Sequence, residues 1–240
     1  MGDTKEEKVN NKRVLARRAV SVGDYASARE AYAYILDKAP DDVEAMFYVP
    51  YCNILRKVRN GFVADCTVFR NNLRIVVDTL RESDMEGDGK AELCKEIVEG
   101  TQGFCKEMFA RINASIDRLP DDDSDRFWDL ESCRNNVYGV MASACVFVAN
   151  GGGIDLNPCK YTILEMLDDS LLHYGWFTDN NVCNTLRLVR TSLMDKMRSM
   201  GDDLSKEDEL DRKYGEIEHD RVVERKVIAK LESLLDGHKV

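Results

Sequence analysis

Arg13 and Arg17 stand four residues apart in "NKRVLARRAV". On a helix that spacing puts two guanidinium groups on one face, the arrangement that grips a carboxylate by charge-assisted hydrogen bonds. The other stretches rich in chemical side chains are less complete. "DMEGDG" sets Asp84, Glu86, Asp88 and Gly89 at positions 1, 3, 5 and 6 of a calcium loop, but Lys95 stands where position 12 needs a bidentate glutamate. A flexible acidic loop is therefore expected there. Asp121, Asp122 and Asp123 precede a helix, where the dipole favours negative charge, so their expected role is capping. "NGGGID" follows no strand and carries no lysine-serine or lysine-threonine pair, which excludes a phosphate loop. His173 lies among large apolar residues in "LLHYGWF", with no serine or cysteine motif to make a nucleophile. Glu165, Asp168 and Asp169 form one acidic helix face rather than facing carboxylates. No catalytic residues, metal ligands or cofactor follow from these patterns.

The eight cysteines form no CxxC pair, and His173, His219 and His238 sit near no cysteine pair, so no zinc site is expected. Cys94 and Cys105 are three helical turns apart on one face. Buried free thiols are expected throughout, as befits a reducing compartment.

These side chains require helices to position them. The apolar spacing predicts a first helix over 5–22, with Val9, Leu15, Ala16 and Ala19 inward. Gly23 breaks it, and Asp24 caps a second that runs to about Lys38. "DDVE" reads as a capping box, Asp41 as N-cap and Glu44 three residues on, for a third helix from about Val43 that Pro50 should end or kink. Further helices are expected over 62–82 (Val68, Leu73, Val76, Val77 and Leu80 inward), about 90–119 with Gly100 and Gly103 as weak points, and 126–149. Two more run from Asn157-Pro158 to about Tyr174 and from Thr178 or Asp179 to near Gly201. "SKED" at 205–208 should cap a last, charged helix, whose Leu210, Tyr214, Ile217, Val227, Leu231 and Leu234 suggest a short coiled-coil seam. No run of strands is visible, so the chain is expected to be all-α.

Gly23, Tyr25, Ala28, Tyr32, Ile35, Leu36 and Pro40 together resemble the second half of a tetratricopeptide repeat. In that family glycine makes the turn, small alanine lets two helices approach, an aromatic fills the gap and proline ends the hairpin. Ile35 replaces the usual small residue, Lys12 stands in place of a large aromatic, and Ala16 in place of glycine. The resemblance covers about 9–56; the helices beyond it are loosely similar to unassigned helical portions that follow such repeats in some bacterial proteins. It implies a groove face made by Asn10, Arg13 and Arg17 of the first helix with Phe47 and Tyr51 of the third, suited to an acidic or C-terminal peptide. The family's carboxylate clamp wants asparagine where Arg17 stands, so that specific clamp is not implied.

The expected organisation is a tetratricopeptide-like hairpin over 1–60, packed on a helical bundle over 61–203, with a charged helix over 204–240. A net charge of −10 argues against binding nucleic-acid phosphates. The start of the chain has no apolar core of a secretory signal, and the longest apolar run, Val137 to Ala149, is shorter than the ~18 residues needed to span a bilayer. A cytoplasmic, non-enzymatic protein-binding or adaptor protein is the expected function. The alternatives are a helical ligand sensor or enzyme built from scattered carboxylates and His173, and a structural homo-oligomer joined through the C-terminal helix.

Overall fold

The computed structural model describes residues 4–57, 62–120, 123–150, 152–174, 180–209 and 212. The protein is all-α: α1 Lys5–Ser21, α2 Tyr25–Lys38, α3 Val43–Leu55, α4 Phe62–Glu82, α5 Gly87–Ile116, α6 Ser124–Ala149, α7 Lys160–Tyr174 and α8 Asn180–Ser199, with a 3-10 turn at Asn157–Cys159. Among the described residues there is no strand, and no helix is long and apolar enough to cross a membrane. The chain divides into two compact units, Met1–Leu193 and Met194–Val240, with the boundary inside α8. In the first, α1 packs on α2, α2 on α3, and α3 on both α4 and α5, so hairpin and bundle share one core. In the second, Arg198 binds Asp195 and Asp208. The proposed coiled-coil seam, Leu210 onward, lies outside the described residues.

Local chemistry explains most helix boundaries. Thr4 and Glu7 form a reciprocal capping box at the start of α1. Gly23 takes a φ of 74°, the left-handed turn that glycine adopts without strain, and Asp24 then caps α2 through the Ser27 amide. Asp123 caps α6 in the role expected of its acidic cluster; Asp121 and Asp122 lie outside the described residues. The "DMEGDG" stretch is not a loop throughout: Glu86 is the N-cap position and α5 begins at Gly87.

Neither Pro50 nor Gly100 ends its helix. α3 runs through Pro50 and continues to Leu55. Proline at 50 cannot donate to the carbonyl of Met46, four residues back. Asn72 of α4 supplies the missing donor, its Nδ2 lying 3.0 Å from that oxygen. The helix therefore keeps its acceptor satisfied and is pinned to its neighbour by the same bond. Gly100, expected to weaken α5, lets Phe47 lie against the backbone, where an added Cβ would come within 2.8 Å of the ring.

Aromatic rings knit α2–α5 together. Tyr32 stacks on Tyr48 at 4.9 Å, Phe47 and Tyr51 tilt against Phe69, and Phe69 stacks on Phe104 at 3.9 Å. Such pairs contribute about 0.5–1.5 kcal/mol each beyond the area they bury. Leu15 and Val68 were expected inward and are instead 57% exposed. α1 packs on one side only, through the stripe of Val9, Arg13, Ala16 and Val20, and Leu15 falls off that stripe. Val68 likewise lies beyond the buried line of Cys66, Phe69, Leu73, Val76 and Leu80 on α4.

Candidate functional site

Arg13 and Arg17 do share one face of α1, and that face is already occupied by carboxylates of the chain itself. Arg13 reaches Asp42 at 2.6 Å and Glu44 at 2.9 Å. Arg17 forms a bidentate pair with Glu44, 2.7 Å to Oε1 and 2.8 Å to Oε2. The Tyr32 hydroxyl donates to Glu44 Oε1 at 2.9 Å. Glu44 is thus a buried carboxylate, 2% exposed, that collects donors from α1 and α2. It does not close a capping box: Asp42 is the N-cap and accepts the Ala45 amide at 2.9 Å. Burial works to raise the Glu44 carboxyl, but the hydrogen bonds from Arg17, Arg13 and Tyr32 outweigh it and hold the pKa below the ordinary value.

The other residues expected to line the groove separate. Asn10 is exposed on α1, whereas Phe47 and Tyr51 are buried in the aromatic core and offer no open wall. An acidic ligand at this face would have to displace Glu44 from both arginines. The expectation of free cations facing a groove is corrected accordingly.

What the ion-pair network borders is a cleft of about 370 Å³ between α1 and α5. Arg17, Val20 and Ser21 form one side, and Tyr32 and Tyr48 stand behind. Glu92, Glu96 and Glu99, at i, i+4 and i+7, form the α5 side. Arg17 extends to Glu96 at 3.7 Å, bridging it to Glu44. Burial, followed by repulsion from Glu44, raises the Glu96 carboxyl above its ordinary value, although Arg17 and a hydrogen bond from Tyr48 pull the other way. Burial also pushes the Tyr32 and Tyr48 phenols up, so both are neutral donors at physiological pH. Glu92 and Glu99 are exposed, and Lys95 approaches Glu92 only at 3.5 Å on the outer surface. Arg17 is already shared between two carboxylates, so the cleft retains an excess of negative charge.

Chemically this is an acidic cleft beside a neutralised arginine pair. Two carboxylates of opposite pKa shift meet at Arg17, as acid and base pairs do in enzymes, but Glu44 spends its oxygens on three side chains of its own fold. The carboxylates of α7 are engaged elsewhere, Glu165 by Gln102 at 2.8 Å and Asp168 by Arg190. His173 belongs to α7, and its side chain lies outside the described set. No group of three potential metal ligands occurs among the described residues. The cleft was missed from sequence because its acidic wall reads as an ordinary solvated face of α5; the signal was Glu92, Glu96 and Glu99 at helical spacing beside the Cys94–Ile97–Val98 core stripe. Compared with protein-family models, with curated proteins and with solved structures, the chain matches none.

Proposed function

We propose that this protein is a non-enzymatic protein-binding module, and that the α1–α5 cleft receives a basic segment of its partner. The carrying observation is the cleft itself, whose glutamate wall is left with negative charge after Arg17 has been shared between Glu44 and Glu96. A lysine or arginine side chain entering there would meet Glu92 and Glu99 at the rim, with Glu96 and the Tyr48 phenol further in. Charge-assisted hydrogen bonds of this kind set register and encounter rate more than raw affinity. The partner thus has the opposite charge from the acidic peptide expected on sequence grounds. The tetratricopeptide-like reading of 9–56 supports the same class of function, since such hairpins present helix faces to other proteins. Eight free cysteines suit a reducing compartment, and the cytoplasm is the location we propose.

The test is titration of a lysine- and arginine-containing peptide into the full chain, monitored by calorimetry and by backbone NMR shifts. Glu92→Gln/Glu99→Gln removes two exposed charges from the cleft. Asp37→Asn/Asp78→Asn, also solvent-accessible, removes two elsewhere. Binding should weaken about tenfold in the first variant, a loss of ~1.4 kcal/mol, and little in the second. Equal losses in both would reduce the interaction to net charge and sink the proposal.

A further inference from the structure

α1 packs on α2 through its stripe of Val9, Arg13, Ala16 and Val20, which leaves the outward side of the helix uncovered. On that side Val14, Leu15 and Val22 are 67%, 57% and 73% exposed. Single exposed aliphatic residues are ordinary, but these belong to an ordered line. Lys8, Asn11, Leu15, Arg18 and Val22 are all exposed and follow one another at spacings of 3, 4, 3 and 4. That alternation is how one helix presents a seam to another. Val14 borders the line on one side and Lys12 on the other, and the line is about 21 Å long. Its cations are uncommitted. Arg13 and Arg17 spend their charge on Asp42, Glu44 and Glu96. Among the described residues Lys8 and Arg18 meet no carboxylate, and Lys12 rests 5.7 Å from the centre of the Tyr34 ring. The carboxylates of α1 are Glu6 and Glu7 in its first turn, and Glu7 is tied to the Thr4 amide. In a chain of net charge −10, this face is locally basic.

We propose that this face of α1 docks a helix of a partner protein, one whose apolar stripe is flanked by carboxylates. The apolar stripe lies on Val14, Leu15 and Val22, and the carboxylates reach Lys8, Lys12 and Arg18 in charge-assisted hydrogen bonds. The long stems of Lys8 and Arg18 add apolar contact while their charged heads turn to the rim. Asn11 sets the register, as a single polar residue does in a helical seam. One line of residues four turns long matches one helix. A flat anionic bilayer would also meet the acidic surface on either side of the line, which it repels. Arg17, Val20 and Ser21 face the proposed cleft from another side of α1, so the two surfaces are independent.

The experiment titrates the full chain with a synthetic three-heptad helical peptide that carries leucine along its seam and glutamate beside it, read by calorimetry and backbone NMR. The flanking glutamates repel their own kind, which keeps the probe from pairing with itself. Two control peptides replace the glutamates with lysine, or the leucines with serine. The expected result is one-to-one binding with shifts along 8–22, weakened about tenfold or more in each control. Leu15→Ser/Val22→Ser and Lys8→Gln/Arg18→Gln change exposed side chains only, so both variants should melt as wild type does. Each should weaken the peptide about tenfold. Glu92→Gln/Glu99→Gln should bind it like wild type, which separates this face from the cleft. Equal binding of the lysine or serine peptide, shifts centred away from α1, or no binding at millimolar peptide would each overturn the proposal. So would loss of the peptide to vesicles of phosphatidylserine and phosphatidylcholine that take up the chain.

Discussion

Glu44 decides whether the hairpin holds its helices together. Glu44→Gln keeps the shape and removes the charge that Arg13, Arg17 and Tyr32 are built around, and should cost about 3 kcal/mol in urea denaturation, as losing one partner of a buried pair does. Because its pKa is lowered in the fold, Glu44 stabilises above the unfolded value of 4.5, and that contribution is lost as pH falls through the lower folded value. The gap between wild type and Glu44→Gln should therefore close in acid. Glu96 has the opposite sign. Its raised pKa means that the fold loses stability as pH climbs from 4.5 through the folded value. Glu96→Gln, which still accepts from Tyr48, should be at least as stable as wild type at pH 7, with the difference vanishing in acid. Parallel melts at several pH values check both signs. Arg13→Glu/Arg17→Glu, which would face Glu44 with like charge, should unfold the hairpin rather than report on binding.

At the scale of elements, α3 and α5 each make a tertiary contact where sequence rules marked an interruption at Pro50 and a weak point at Gly100. Asn72→Ala should cost ~1 kcal/mol by orphaning the Met46 carbonyl. In a Pro50→Ala background, where residue 50 regains its N–H, the same change should cost only a few tenths, and a double-mutant cycle reads the coupling. Gly100→Ala gains ~1 kcal/mol of helix propensity but drives a methyl into Phe47, and should be destabilising by about 1–2 kcal/mol net. A smaller residue at 47 should recover part of that loss. The period of apolar residues was enough to place α1, α2 and α4 almost to the residue, because caps and glycines act locally. The continuation of α3 past Pro50, the ring against Gly100 and the exposure of Leu15 and Val68 were not legible because they depend on which neighbour lies across from them, information that periodicity does not hold.

For the whole molecule, sequence gave the fold class and the two arginines but not their partner. Glu44 lies 27 residues from Arg17, and only packing of α1 against α2 and α2 against α3 brings them together. That pairing converts an expected cationic groove into a neutralised wall, and leaves the α5 glutamates to set the charge of the cleft. A basic partner held there should bind more weakly as salt rises, because the rim carboxylates are exposed and screened. The most direct measurement is the backbone NMR shift map of the full chain on adding the basic peptide. The account predicts shifts concentrated on 17–21, on 92–99 and around Tyr48, largely lost in Glu92→Gln/Glu99→Gln and kept in Asp37→Asn/Asp78→Asn. Shifts spread over the acidic surface, or centred away from α1 and α5, would contradict it.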